Sequence, residues 1–197
     1  EKYANQIKEG SLDFNKYLET INRQVKDIEK LVNEFSNFAR MPAPIKRKKN
    51  INSVVVRAVD FMKMSTNNLI SLNKSSQTYM AKIDEDQIYR VLINLIKNSE
   101  ESFVEKKVKN PDFKGKINID IVKNNDYIVI SVTDNGTGIT DTKKVMTPYY
   151  TTKKTGTGLG LPIASKIINE HSGELNIVNN KLEGINIKIF LPCIYET

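Results

Sequence analysis

The amino-acid sequence predicts an α+β fold, in which a mixed, mainly antiparallel sheet has helices on one face and follows a long coiled-coil-like helix. Three patterns lead to this prediction: a heptad repeat near the N-terminus, short segments rich in β-branched residues, and helical segments that alternate with them. The 197 residues, of which 39% are hydrophobic and 27% charged, suffice for one buried domain and an appended element.

The appended element is a heptad seam near the N-terminus. Apolar side chains recur in alternating steps of four and three residues, at Phe14, Leu18, Ile21, Val25, Ile28, Val32, Phe35 and Ala39. This period predicts a long helix with one apolar stripe. We expect a turn at Gly10 and Ser11 before the helix, and the prolines after Met41 to end it. The predicted domains are a helical region over residues 1–45 and a second domain over residues 46–197.

The second domain alternates helices with short strands. Helices are predicted over residues 53–64, 85–106 and 159–170, and strands over residues 69–72, 79–83, 117–122, 127–132, 174–178 and 185–191. Residues 134–158 are rich in glycine, proline and threonine, which predicts a loop region. The basic residues 46–49 have no aromatic side chains among them, so we expect a solvated linker there and not a nucleic-acid patch.

Charge and cysteine content set outer limits on function. The net charge of +7 allows either nucleic-acid binding or the handling of a polyphosphate. Cys193 is the only cysteine, which excludes an internal disulfide and fits a reducing compartment. No apolar run approaches the roughly 20 residues that cross a bilayer. Because the chain starts at Glu1 with neither Met nor a signal-peptide pattern, we interpret it as a piece of a longer protein.

Two asparagines lie one helical turn apart in the predicted helix over residues 85–106. At about 100° per residue, the buried arc of that helix consists of Ile88, Leu92, Leu95 and Ser99. Asn94 and Asn98 then share its flank. An amide carbonyl is a neutral hard-oxygen ligand that suits Mg²⁺. On this pattern alone, two capping or surface asparagines are an equally good interpretation.

An acidic turn follows the predicted strand over residues 127–132. Asp134 is followed by Asn135, Gly136, Thr137 and Gly138. A carboxylate in this place can accept a hydrogen bond from an exocyclic amine such as the adenine N6 group, and glycines let the backbone approach a flat ring. An ordinary Asp-Asn-Gly turn is the alternative interpretation.

A glycine-rich segment opens directly into the predicted helix over residues 159–170. It reads Gly156, Thr157, Gly158, Leu159 and Gly160. Glycines before a helix N-terminus leave free N–H groups and the positive end of the helix dipole facing an anion, which predicts a phosphate cradle. No Lys-Ser or Lys-Thr follows the glycines and no strand directly precedes them, so the segment is neither a P-loop nor a Rossmann fingerprint. A flexible linker is the alternative.

Taken in order, the three elements resemble the GHKL (Bergerat) ATP-binding family, and more closely the catalytic domain of sensor histidine kinases. The resemblance covers residues 50–192. In that family's terms the N box is NLIKNS, the G1 box is DNGTGI, a variant F box in the ATP lid is TPYYTTK, and the G2 box is GTGLGL. The resemblance implies a Bergerat-type α/β sandwich that binds ATP with Mg²⁺.

The resemblance also implies roles for individual residues. Asn94 and Asn98 would be catalytic, with Asn98 the metal ligand, and Asp134 would select adenine. The implied nucleotide-binding set is Asn94, Asn98, Asp134, Gly136, Gly138, Ile139, Thr152, Lys153, Gly156, Thr157, Gly158, Leu159 and Gly160. Many relatives have a basic and an aromatic residue where this chain has Glu101 and Ser102. The phosphate charge would then rest more on Lys153, Lys154 and the glycine amides.

The heptad helix resembles part of another domain of the same kinases. The segment TINRQVKDIEKLVNEFSNFARMP is similar to the second helix of the dimerisation and phosphoacceptor domain of the nitrogen-regulation NtrY type. Such domains carry the phosphorylated histidine on a first helix, of which residues 1–9 would be the remnant. His171, the only histidine, matches instead a family position at the end of the G2 helix, where the helix dipole favours it.

The implied function is transfer of the ATP γ-phosphate to a histidine absent from this chain, for relay to an aspartate of a response-regulator receiver domain. The resemblance further implies a homodimer through the helical region of the intact parent, an inner-membrane parent with this portion in the cytoplasm, and no nucleic-acid partner. One alternative is a GHKL ATPase of the clamp or chaperone kind, which has a Glu where Asn94 stands. Another is a non-catalytic, basic coiled-coil binder of nucleic acid.

Overall fold

The computed structural model describes residues 2–74, 76–153, 156–180 and 183–194. The chain divides into two compact units, of which the first comprises Glu1–Met41 and Thr152–Thr157 and the second comprises Pro42–Thr151 and Gly158–Thr197. The predicted domain limits stay predictions, because compactness alone does not establish that a segment folds independently.

The first unit contains the long helix α1, Lys2–Ala39. It runs unbroken through Gly10 and Ser11, so the predicted turn is wrong. A glycine costs about 1 kcal/mol in a helix interior, and cooperative propagation from both sides offsets this cost. The described side chains of the seam are open, with Phe14 62% and Ile28 62% exposed. Among the described residues, no helix, α1 included, is both long and apolar enough to cross a membrane.

The second unit is built on a five-stranded sheet. Its helices are α2 (Ile51–Lys63), α3 (Glu85–Lys109) and α4 (Gly160–Glu170), and its strands are β1 (Arg47–Asn50), β2 (Leu69–Lys74), β3 (Met80–Ile83), β4 (Lys116–Asn124), β5 (Tyr127–Asp134), β6 (Glu174–Asn179) and β7 (Ile185–Pro192). The large sheet has the order β2-β4-β5-β7-β6. Only the β2–β4 pair among these is parallel, so the predicted mixed, mainly antiparallel sheet is confirmed.

The helices cover one face of this sheet. Along β4, β5 and β7 the residues that face the helices are buried, as Ile119, Ile130 and Ile189 show at 0% exposure each. Most of their neighbours on the other face are polar, for example Asp120 beside Ser131, although Val129 and Phe190 pair there as well. This alternation has the period of two that a half-buried sheet requires, and it confirms the predicted arrangement of helices.

The basic run after the prolines is a strand and not the linker that the sequence predicts. β1 pairs antiparallel with β3, and Lys48 lies opposite Lys82. Lys49 forms an ion pair with Glu85 at 2.9 Å, and Asn50 caps α2 by accepting a hydrogen bond from the N–H of Asn52 at 2.9 Å. The four charged or polar residues of β1 have no alternating apolar pattern, so the strand depends on pairing with β3.

Candidate nucleotide-binding site

Asp134 is the last residue of β5 and faces the helices. Its side chain is 4% exposed. The carboxylate oxygen Oδ1 accepts a hydrogen bond from the N–H of Gly136 at 2.8 Å. The other oxygen, Oδ2, accepts one from the hydroxyl of Ser99 on α3 at 2.7 Å. A buried carboxylate is thus held in one orientation by donors on both of its oxygens.

Two glycines let the backbone pack against this acid. A Cβ on Gly136 would lie 1.8 Å from the Ser102 hydroxyl oxygen, and a Cβ on Gly184 would lie 2.0 Å from the Asp134 carbonyl oxygen. Gly184 also has a φ of 76°, a conformation that side-chain-bearing residues rarely adopt. The sequence suggested that Gly136 and Gly138 admit a ligand ring, and the structure adds that packing against Ser102 already requires a glycine at position 136.

The turn between β6 and β7 holds the loop after Asp134. The Asn179 amide pairs with both backbone groups of Ile139, accepting from its N–H at 3.0 Å and donating to its carbonyl at 2.6 Å. Asn180 donates to the Asp134 carbonyl at 3.2 Å. Sequence reasoning missed both asparagines. Asn-Asn is a turn signal, but partners that lie about 40 residues away are set by the tertiary fold.

Asn94 and Asn98 are both half-buried on α3, as the helical spacing predicts. The Asn94 amide nitrogen donates to the carbonyl of Gly160 at 2.7 Å. A Cβ on Gly160 would lie 2.7 Å from the Asn94 amide oxygen, so only glycine allows this approach of α4. The structure therefore brings the first predicted asparagine to the third glycine of the predicted phosphate cradle.

The N-terminus of α4 has the features of an anion site. Leu159 is the N-cap and provides no side-chain hydrogen bond to the first turn. The preceding Gly158 has a φ of 69°, and its carbonyl accepts a hydrogen bond from the N–H of Tyr149 at 3.1 Å. The uncapped N–H groups and the positive end of the helix dipole favour a phosphate here.

The remaining predicted residues stay predictions. Thr152, Lys153, Gly156 and Thr157 belong to the first unit. Lys154 lies outside the described residues. Within the described residues, no group of three or more His, Cys, Asp or Glu side chains could hold a metal ion. The amide oxygens of Asn94 and Asn98 are hard neutral ligands, which suit Mg²⁺ because this ion binds mainly through water and phosphate oxygens.

His171 lies away from these residues, at the C-cap of α4. It is 2% exposed. Its Nδ1–H donates to the Ile167 carbonyl at 2.7 Å, and its Nε2 accepts from the N–H of Asp84 at 2.9 Å. Burial lowers the pKa of His171, and the nearby Lys46 ammonium lowers it further. The Ile167 carbonyl and the carboxylates of Asp84 and Glu170 raise the pKa, but the net shift is downward. The helix dipole favours a charged histidine, but burial outweighs it here and selects the neutral form.

The buried histidine predicts that the protein loses stability in mild acid. The unfolded chain takes up a proton at His171 near pH 6.5, whereas the folded state does so only at lower pH. Below about pH 6.5 the unfolded state therefore binds more protons than the folded state. The free energy of unfolding decreases as the pH is lowered, by at most about 1.4 kcal/mol per pH unit. Urea denaturation from pH 8 to pH 5.5 measures this fall.

His171→Gln is the control for this effect, because no other histidine is present in the sequence. The variant should be less stable than the wild type at pH 8 and should show a shallower dependence on pH. A wild-type free energy of unfolding that stays level or rises between pH 7 and pH 5.5 would contradict the assignment.

Comparisons with known proteins agree with this geometry. The chain belongs to the family described as histidine kinase-, DNA gyrase B- and HSP90-like ATPases, whose model matches residues 83–194. A putative sensor histidine kinase NtrY-like protein of Rickettsia conorii is 36% identical over 95% of this chain and 31% of its own length. The nitrogen regulation protein NtrY of Azorhizobium caulinodans is 32% identical over 93% of this chain and 24% of its own length.

A solved structure shares the fold. The catalytic domain of the histidine kinase ThkA, in a nucleotide-free form, superimposes with a TM-score of 0.63 at 26% identity, over 75% of this chain and 95% of that one. The predicted family and fold are confirmed, and the two alternative functions are not favoured. The chain spans about a third or less of the length of the two curated relatives.

Proposed function

We propose that this chain is the ATP-binding catalytic portion of a sensor histidine kinase. It would hold ATP so that the γ-phosphate passes to a histidine of a helical phosphoacceptor domain, for relay to an aspartate of a response-regulator receiver domain. One observation carries the proposal. Through Ser99 and Asn94, α3 contacts both the buried acid Asp134 and the start of α4 at Gly160.

These two contacts are close enough for one ligand. Asn94 and Ser99 are five residues apart on α3, which is about 7.5 Å along a helix axis. The Asp134 carboxylate would accept a hydrogen bond from the exocyclic amine of adenine. The N–H groups at the start of α4 would donate hydrogen bonds to phosphate oxygens. A single nucleotide can therefore be recognised at both of its ends by groups that one helix holds in place.

The reaction depends mainly on positioning and charge neutralisation, and no residue of this catalytic portion has to form a covalent bond with the transferred phosphoryl group. Asn98, with Asn94, would hold Mg²⁺ at the phosphates. The metal, when bound, would neutralise phosphate charge during transfer. Among the residues that remain predictions, Lys153 and the glycine amides would add positive potential.

The same residues argue against rapid ATP hydrolysis as the main activity. A clamp or chaperone ATPase needs a general base to activate water. The amide of Asn94 cannot take up that proton, and its nitrogen already donates to the Gly160 carbonyl. This observation supports transfer to a protein acceptor over transfer to water.

The open seam of α1 supports a proposal about assembly. Side chains such as Ile21 and Val25, 55% and 56% exposed, form an apolar stripe of coiled-coil spacing that needs a partner helix. We propose a homodimer through this helical region in the intact parent, which would be an inner-membrane sensor with this portion in the cytoplasm.

Phosphoryl transfer in trans tests the proposed function. The chain is incubated with γ-labelled Mg-ATP and a separately supplied histidine-bearing helical domain of the NtrY type, and acid-labile, base-stable label on that domain is measured. Asn98→Ala should reduce the initial rate of labelling by at least about 100-fold, because it removes a hard-oxygen ligand at the phosphates.

Asn118→Ala is the matched control, since Asn118 is an exposed residue of β4 on the face of the sheet away from the helices. Its labelling rate should equal that of the wild type. Steady ATP hydrolysis that outpaces labelling would favour the clamp class instead. Salt-sensitive binding to DNA or RNA, with no titratable binding of Mg-ATP, would favour the nucleic-acid binder.

A further inference from the structure

The hydrogen bonds to Asp134 come from donors of two kinds. The oxygen Oδ1 receives the N–H of Gly136 at 2.8 Å and lies 3.4 Å from the N–H of Ile185. These donors are backbone N–H groups, which belong to no particular side chain. The oxygen Oδ2 receives the Ser99 hydroxyl at 2.7 Å, and this bond depends on the identity of a side chain.

Ser99 has one hydroxyl hydrogen and two acceptors within reach. The Leu95 carbonyl of the same helix lies 3.3 Å from its oxygen, and Oδ2 of Asp134 lies 2.7 Å from it. The shorter bond to a charged acceptor is the stronger one. Because Ser99 is 2% exposed, water does not compete freely for this hydrogen. The hydroxyl therefore donates its single hydrogen to Asp134, and it can otherwise only accept hydrogen bonds.

We propose that Ser99 is a positioning residue for base selection: it fixes the Asp134 carboxylate so that only hydrogen-bond acceptors meet the 6-position of a bound purine. This inference rests on the proposed function. A 6-amino group donates to such acceptors, whereas a 6-oxo group is itself an acceptor and is repelled. A carboxylate that is already oriented needs no reordering when the base binds, which favours the amine further.

The chain contains a matched control for Ser99. Ser102 lies one helical turn further along α3, and its hydroxyl donates to the Ser99 backbone carbonyl at 2.7 Å. Replacing either serine by alanine removes one hydroxyl from the same helix. Only Ser99→Ala removes a hydrogen bond from the Asp134 carboxylate.

The test is calorimetric titration with Mg-ADP and with Mg-IDP, whose base has a 6-oxo group in place of the amine. Wild type and Ser102→Ala should both prefer ADP, with the same ratio of Kd values. Ser99→Ala should weaken ADP binding by about tenfold and IDP binding much less, so that the ratio falls by a similar factor. Should Ser99→Ala fail to fold, Ser99→Cys keeps a side chain of the same branching that fills the position and is a weaker donor, and it should lower the ratio in the same direction.

Each other result contradicts the inference. Equal losses of ADP and IDP affinity in Ser99→Ala would mean that Ser99 acts only through packing, and unchanged affinities would mean that it has no role. Either result would leave the proposed function standing, because the wild type would still bind ADP. A wild type that binds neither nucleotide would overturn the proposed function and this inference together.

Discussion

Replacing Asp134 by asparagine is expected to weaken Mg-ATP binding by at least about 100-fold while the protein stays folded. The substitution keeps the shape of the side chain but removes its charge and can present an amide N–H to the adenine amine. Losing a buried hydrogen bond weakens binding strongly, because the adenine amine and the side chain that faces it are both left without a partner. Calorimetric titration of the full chain with Mg-ATP measures the loss.

Two observations predict that the variant folds. An asparagine carbonyl oxygen can still accept the N–H of Gly136, and its amide nitrogen can donate to the oxygen of Ser99, which reverses the bond now present. Asp120→Asn is the matched control, since Asp120 is on the neighbouring strand β4 and accepts from Asn73 at 2.9 Å on the opposite face of the sheet. Its affinity for Mg-ATP should be that of the wild type.

Full Mg-ATP affinity in a folded Asp134→Asn variant would show that the acid does not recognise the base. The thermal melting temperature of each variant without nucleotide separates this result from a loss of folding. If both variants melt with the wild type and only Asp134→Asn fails to bind, the assignment of Asp134 stands.

Replacing Gly184 by alanine is expected to lower the free energy of unfolding by about 3 kcal/mol. A residue with a side chain costs about 1–2 kcal/mol in the left-handed conformation, which Gly184 adopts with a φ of 76°. The new Cβ would also lie 2.0 Å from the Asp134 carbonyl oxygen and 2.7 Å from its carboxylate oxygen Oδ1. Relieving such an overlap costs about 1–3 kcal/mol more. Urea denaturation at pH 8 measures the sum, and nucleotide affinity should fall as well because Asp134 moves.

Gly138→Ala separates the two contributions. Gly138 has a φ of 75°, but the nearest atoms to its Cβ would be 3.4 Å and 3.5 Å away. It therefore has the same backbone strain with ordinary contacts, and we expect a loss of only about 1–2 kcal/mol. Equal losses of stability in the two variants would mean that the contact with Asp134 contributes nothing.

The periodic patterns of the sequence predicted most of the fold. Steps of three and four residues predicted α2, α3 and α4, and short apolar segments, two of them rich in β-branched residues, predicted six of the seven strands that the described part of the chain contains, because each pattern reports which side of an element is buried. β1 was missed because its side chains are charged or polar and show no apolar alternation. Its pairing with β3 is made by backbone groups and does not depend on those side chains. The turn at Gly10 was wrong because helix propagation overrides a local preference of about 1 kcal/mol.

By itself, the sequence determined the family, the sheet with its helices, and the positions of Asn94, Asp134 and Gly160, because local spacing and short motifs encode them. Only the tertiary structure decided which groups contact them. Three examples are the hydrogen bonds from Ser99 to Asp134, between Asn179 and Ile139, and from Asp84 to His171. Each joins segments that are far apart in the chain, and the burial that accompanies the last of them keeps His171 neutral. Such contacts depend on packing in three dimensions, and no pattern within a single segment specifies them.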